Sequence, residues 1–212
     1  MDAPATLARD LGPALQRAAR DGVAHEPGVV PEALRRAVLA EIEAERYVDL
    51  PPVEGPHRVR QQGEHVVLTG DEIAARPAVA ALHAAVVEAV HAHPDIAGLS
   101  EWTPDEVTVQ RYAAGSAGIS AHRDGRRHAH LVAILTLEGS ALLRQCSDRA
   151  GTTVAAWDAD AGSLVLLRGP GLDGIEDDRP MHAVDGPRDG RRTSFTLRAT
   201  RPAPEPTPDG PR

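Results

Sequence analysis

The chain has 212 residues, 42 % of them apolar, which is enough to fill the core of one domain and too apolar for a disordered protein. All 23 basic residues are Arg, with no Lys or Asn anywhere, so Schiff-base lysines, a P-loop lysine and Asn-dependent triads are excluded. The net charge of -8 argues against a general nucleic-acid footprint while leaving a local basic patch open, and the single Cys146 allows neither an internal disulfide nor a thiolate zinc cluster.

In chain order, residues 1–20 carry Arg9, Asp10, Arg17 and Arg20 and make no signal peptide. Leu7, Leu11 and Leu15 fall at helical spacing before Asp21-Gly22, with Pro13 expected to kink or shorten the segment. A second helix opens at Pro31, presents Leu34, Val38, Leu39 and Ile42, and ends near Tyr47 before the Asp49–Pro52 break. A third starts at Pro77, carries Val79, Leu82, Val86 and Val90, and stops at His93-Pro94.

The period then changes. Val107 and Val109 alternate with polar neighbours, Leu131 to Leu137 and Leu164 to Leu167 are nearly continuous apolar runs, and Phe195 and Leu197 alternate again. Helices followed by short strands, with no strand-helix alternation, predict an α+β or mainly β chain with an antiparallel core and an N-terminal helical cover. The Pro-rich stretch 201–212 reads as a disordered tail, and no window is apolar enough to span a bilayer, so the expectation is a cytoplasmic protein without a membrane partner. Aromatics are scarce, at 2 % of the chain, so Tyr47, Trp102, Tyr112, Trp157 and Phe195 are its only flat rings, and core packing is the expected role of Tyr47 and Trp102.

Ten histidines invite a metal hypothesis. Composition alone supplies roughly one His-x-Asp, so the pattern needs context. His93-Pro94-Asp95 falls at a helix end and reads as a capping feature. His122-Arg123-Asp124 follows a Gly-bearing turn and enters a strand, where residues two apart share a face and both side chains can grip one ion. His182, after the acidic loop Asp173 to Asp178, is the candidate third ligand. Two His and one carboxylate leave coordination positions open, which suits Fe(II) that binds a co-substrate and O2. The bland reading is a hydrogen-bonded pair on a solvated strand edge with His182 packed in the core.

The run Arg192 to Arg198 adds a second constraint. On a strand, Arg192, Ser194, Thr196 and Arg198 share one face, and two guanidiniums aimed inward require anions. A five-carbon diacid satisfies both by charge-assisted hydrogen bonds, whereas an exposed edge strand with solvated arginines is the structural alternative. A register slip of one residue would substitute Arg191 for Arg192. His128-Ala129-His130 with Glu138 offers a cupin-like set, but the glutamate is too far along and no second histidine motif follows Gly169.

The ordered set Gln110-Arg111-Tyr112, Gly115, Ile119, His122-x-Asp124, His182 and Arg192-x-Ser194-Phe195-Thr196-Leu197-Arg198 resembles the AlkB-like branch of the Fe(II)/2-oxoglutarate dioxygenases over about residues 105 to 199. The resemblance implies a double-stranded β-helix, a jelly roll of two facing antiparallel sheets. It implies that His122, Asp124 and His182 bind Fe(II), that Tyr112 hydrogen-bonds 2-oxoglutarate, and that Arg192 and Arg198 hold its carboxylates. Gln110 and Ser194 stand where the family has Asn. The expected organisation is a helical extension at 1–24, a dioxygenase domain at 25–200 and the tail at 201–212. The implied reaction consumes O2 and 2-oxoglutarate and releases succinate and CO2. Asp124 fills a position that halide would need, so hydroxylation or oxidative dealkylation is implied over halogenation. The few aromatics and the negative charge favour a small-molecule or protein side-chain substrate over alkylated nucleic acid, which stays the alternative, as does a degenerate jelly roll that binds a ligand without turnover.

Overall fold

A computed structural model describes residues 6–53 and 58–200; the stretch 201–212, read above as a disordered tail, lies outside the described residues. The chain opens with helix α1 (Gly12–Asp21), strand β1 (Val23–Glu26) and helix α2 (Glu32–Ile42). Pro13 sits in the first turn of α1, where its missing N–H is harmless, so it starts the helix and does not kink it. Next come β2 (Val48–Asp49), β3 (Gln61–Gln62), β4 (Glu64–Thr69), the short α3 (Gly70–Ala74) and α4 (Pro77–His91). The remainder is β5 (Glu106–Ala113), β6 (Gly118–His122), β7 (His128–Glu138), β8 (Ser140–Cys146), β9 (Thr153–Asp160), β10 (Leu164–Arg168), β11 (Met181–Val184) and β12 (Arg191–Thr200).

These strands form a seven-stranded sheet, β1-β10-β7-β12-β5-β4-β2, and a five-stranded sheet, β3-β6-β11-β8-β9, with every pair antiparallel. The first third is therefore not purely helical as its sequence suggested. It supplies β1 at one edge of the large sheet, β4 and β2 at the other, and β3 to the small sheet. Segments as short as Val-Ala-His-Glu carry too few residues for a period of two to register.

The large sheet is buried on both faces. Its outer face presents Leu131, Ala133, Leu135, Leu137, Leu164, Leu166, Phe195 and Leu197 to α1, α2 and α4, which contribute Leu15, Ala18, Val38, Ile42, Leu82 and Val86 to one core. Its inner face presents Val132, Val165 and Leu167 to Ala141, Leu143, Ala159 and Val184 of the small sheet. Burial on both faces is why β7 and β10 read as apolar runs and not as alternating strands. This apolar filling occupies the β1-β10-β7 side of the space between the sheets; toward β12 and β5 the inner face turns polar. Among the described residues no helix is long and apolar enough to cross a membrane.

Trp102 anchors the segment between α4 and β5. Its ring is fully buried in the outer core and its indole Nε1–H donates to the Leu131 carbonyl at 2.7 Å. Tyr47 is likewise structural, with its ring under the Arg111 guanidinium at 3.8 Å and its hydroxyl donating to the Ile42 carbonyl. Replacing Trp102 with Phe removes a buried donor, orphans a carbonyl and leaves a gap, so we expect a loss of about 2–4 kcal/mol. Urea unfolding at constant m checks this, and a change below about 0.5 kcal/mol would contradict the assignment.

Candidate metal centre

His182 on β11 lies directly opposite His122 on β6. The next pairing is Val184 with Ile119, so two residues of β6 face one of β11 in a β-bulge. The bulge has a chemical consequence. Ile119 and His122 are three apart and would project to opposite faces of a regular strand, yet Ile119 packs in the inner apolar cluster and the His122 ring lies 4.3 Å from that of His182. Gly118 permits this close pairing, since its φ is +64° and a Cβ there would sit 2.1 Å from the Val184 carbonyl oxygen. Asp124 lies beyond the end of β6, in the turn that follows, and not on the strand as the His-x-Asp spacing suggested.

One ligand atom from each of His122, Asp124 and His182 lies within 4.8 Å of the others. His122 Nδ1 contacts the Ser120 carbonyl at 2.9 Å and His182 Nδ1 the Pro180 carbonyl at 3.4 Å. A carbonyl only accepts, so both Nδ1 atoms carry the proton and each Nε2 keeps its lone pair, the arrangement that orients imidazole toward a metal. His182 Nε2 is 3.9 Å from Asp124 Oδ2, and that carboxylate oxygen is buried without a hydrogen-bond partner among the described residues. The donor set thus fits a two-His, one-carboxylate ion site with positions to spare.

Burial works against the charge on Asp124, but Arg198, then His182, His122 and His128, outweigh it and hold the carboxyl at about 2. His182 is pushed down to about 4, first by burial and then by the neighbouring His122, with Asp124 opposing. Both ligands are therefore in their metal-binding protonation states at neutral pH.

On β12 the alternation places Phe195 and Leu197 in the outer core, while Arg192, Ser194, Thr196 and Arg198 face inward, opposite Tyr112, Gln110, Thr108 and Glu106 of β5 respectively. Arg198 donates to Thr108 Oγ1 at 2.8 Å, meets Glu106 at 3.4 Å and approaches Asp124 Oδ1 at 3.9 Å. Arg192 is different. It is 2 % exposed, its one hydrogen bond is to Thr136 Oγ1 at 3.2 Å, and no carboxylate among the described residues pairs with it. Burial lowers its guanidinium to about 10, with Tyr112 opposing. Burial also raises the Tyr112 hydroxyl, against the pull of Arg192 and Arg198. The Nε atoms of Arg192 and Arg198 and the Ser194 hydroxyl are buried without partners. Unsatisfied groups of this kind are uncommon in native interiors, and these three share the inner face of β12.

Arg191 points the other way, to Glu43 at 3.2 Å and Glu138 at 3.1 Å. Glu138 is thereby occupied outside the sheets and takes no part in a metal set with His128 and His130. Those two rings also diverge: His130 has a positive φ of 60° and approaches Glu101, whereas buried His128 is lowered first by burial and then by Arg198, and interacts with Asp124. His128 thus lies toward the ligand cluster, and the left-handed backbone at His130 is what parts the two rings. His93 pairs with Asp10 at 3.2 Å, remote from this face.

Two concavities adjoin these residues. One of about 350 Å3 opens at His122 and Asp124, and one of about 660 Å3 lies on the Tyr112 side between Gln61–Glu64 and Arg191.

No protein-family model matches the chain, and no curated protein sequence matches it. The fold has solved counterparts. A prolyl-4-hydroxylase from Pseudomonas putida is 20 % identical, with a TM-score of 0.61 over 91 % of this chain and 100 % of that one. A prolyl hydroxylase from Trichoplax adhaerens, solved with a peptide fragment of the hypoxia inducible factor oxygen degradation domain, is 14 % identical, with a TM-score of 0.64 over 88 % of this chain and 87 % of that one. The architecture is the jelly roll of these hydroxylases.

His182 gives a pH signature. Its native value of about 4 lies below the ordinary 6.5, so between these pH values the unfolded chain takes up a proton that the folded chain excludes. Stability of the metal-free protein is expected to fall as pH drops through that window, His182 contributing on the order of 3 kcal/mol, and the fall should be smaller by about that much in the His182→Gln variant, where lowered groups such as His128 still contribute. Urea unfolding in chelator from pH 7 to pH 4.5 reads the difference, and parallel curves for the two proteins would contradict it.

Proposed function

We propose that the protein is an Fe(II)- and 2-oxoglutarate-dependent dioxygenase that hydroxylates, or oxidatively dealkylates, a small molecule or a protein side chain. The observation that carries this reading is Arg192, a buried cation without a carboxylate, on the same inner face that leads to His122, Asp124 and His182. A guanidinium taken out of water is stable only with a partner, and the distal carboxylate of 2-oxoglutarate supplies one. The proposed catalytic unit is 25–200, with 1–24 as an extension whose helix α1 packs on it and whose last residues enter β1.

In this reading His122 Nε2, Asp124 and His182 Nε2 hold the iron. Bound Fe(II) supplies the centre at which O2 is reduced by the electrons of 2-oxoglutarate decarboxylation, so that R–H, 2-oxoglutarate and O2 become R–OH, succinate and CO2. The chain's own contribution is placement. Arg192 and the Ser194 hydroxyl receive the distal carboxylate, Tyr112 donates to the co-substrate, and Gln110 borders the cradle. Arg198 neutralises the face beside Asp124 and keeps that carboxylate charged and oriented. The apolar filling between the sheets keeps water from the cradle, which strengthens each of these charge-assisted bonds. The pair of inward arginines is one part of the ordered set that carries the AlkB-like resemblance. The mouth at His122 offers no Phe, Tyr or Trp to stack a flipped base, which favours a substrate other than nucleic acid.

Wild-type protein given Fe(II), O2 and 2-oxoglutarate alone is expected to form succinate slowly, and His122→Ala, Asp124→Ala and His182→Ala to lose it by at least about a hundredfold. Binding gives a second readout, since metal plus co-substrate at about a hundred times Kd should stabilise the wild type by about 2.7 kcal/mol. Retention of that shift by His122→Ala would refute the ligand assignment. Absence of any shift in the wild type would favour a jelly roll that binds a different ligand without turnover.

A further inference from the structure

The mouth of the cluster has a charge that the chain as a whole does not. The net charge is -8, yet the concavity at His122 and Asp124 is lined by Arg123, Arg126, Arg149 and Arg179. Among the described residues, the carboxylates beside Arg123, Arg126 and Arg179 are Asp124 itself and Asp177. Asp177 pairs with Arg179 at 2.7 Å and with Arg126 at 3.2 Å. The other nearby acids are turned elsewhere: Asp178 pairs with Arg168, and Asp148 accepts from Thr152 within its own turn.

Two of the arginines are available to a ligand. Arg123 donates its Nε–H to the Arg179 carbonyl at 2.9 Å and pairs with no carboxylate among the described residues, leaving the outer edge of its fork for an incoming oxyanion. Arg126 has a side chain 70 % exposed, so its bond to Asp177 is screened by water and is readily exchanged. Arg179 is held in place by Asp177 and by the Asp124 carbonyl, which makes it a fixed charge at the rim.

Resting on the functional reading above, we propose that this mouth selects substrates bearing a carboxylate close to the oxidised carbon, whether on a free small acid or on an acidic side chain of a peptide. Guanidinium forks match carboxylates in pairs of parallel hydrogen bonds. Their exposed position makes the attraction one of steering and orientation, sensitive to salt. With His122 the one ring among the described lining residues, the surroundings suit a compact anion better than a stacked base on a phosphate strand.

The test uses full-length protein loaded anaerobically with Fe(II) and 2-oxoglutarate, and fluorescence anisotropy of labelled oligo-glutamate and oligo-glutamine peptides of equal length. Oligo-glutamate is expected to bind at least about tenfold more tightly, to weaken as salt rises, and to lose about tenfold in the double variant R123E/R126E. Arg36→Glu, on exposed α2 and remote from the mouth, should leave binding unchanged. Competition with free glutamate assigns the source: displacement at low concentration supports a small acid, and resistance supports a peptide. Equal binding of the two peptides, or no effect of the double reversal, would overturn the proposal. So would tighter binding of a methylated oligonucleotide than of oligo-glutamate. The functional reading fails separately: wild-type protein that forms succinate but shows no charge preference keeps that reading and loses this one, whereas a charge preference without succinate formation overturns the functional reading and leaves an anion-binding mouth without turnover.

Discussion

An arginine buried between two β-sheets, hydrogen-bonded to a threonine hydroxyl and facing no carboxylate among the described residues, is the constraint from which the rest of this molecule follows. Desolvating a guanidinium costs several kcal/mol unless an anion and hydrogen bonds offset it, so Arg192 destabilises the folded chain until such an anion arrives. The fold tolerates this because the apolar contacts are made elsewhere. The outer face of the large sheet is covered by α1, α2 and α4, and the β1-β10-β7 side of the inner space is filled by Val132, Val165, Leu167, Leu143 and Val184. The remaining inner surface, on β12 and β5, is then free to be polar and incompletely satisfied. It carries unpartnered polar atoms on Arg192, Ser194 and Arg198, all on the inner face of β12.

Strand irregularity completes the site. The bulge on β6 lets Ile119 serve the apolar core and His122 the ligand cluster from the same strand, and the turn after His122 swings Asp124 back toward His182. Arg198 then ties the two halves together, since it reaches Asp124 from the large sheet while the histidines come from the small one. The His122 and His182 rings and the inward arginines thus come from opposite sheets, and whatever separates the sheets must part them.

Much of this was legible in the amino-acid order, and the parts that were not have identifiable physical reasons. Strict alternation along Arg192 to Arg198 correctly separates the inward arginines from Phe195 and Leu197, because β12 is a central strand with a neighbour on each side and no freedom to twist away. The doubt over Arg191 is resolved by partners far away in sequence, Glu43 and Glu138, which no local pattern reveals. Likewise, a period of two places His122 and Asp124 together on a strand, whereas the structure achieves the same convergence by a bulge and a turn. His130 departs from the pattern for a similar reason: its left-handed backbone separates its ring from that of His128 and leaves His128 facing the cluster. The N-terminal strands escaped notice because two- to six-residue strands are stabilised by their neighbours and carry little signal of their own.

The most direct test of the central claim pairs a change in the protein with a change in the ligand. The affinities of 2-oxoglutarate and of 2-oxobutyrate, which lacks the distal carboxylate, are measured by calorimetry on wild-type and Arg192→Met protein loaded with Mn(II) in place of Fe(II). If Arg192 receives that carboxylate, the wild type should prefer 2-oxoglutarate by roughly a hundredfold or more and the variant should lose the preference, with 2-oxobutyrate binding nearly unchanged. A preference that survives in Arg192→Met, or an equal loss for both ligands, would contradict it.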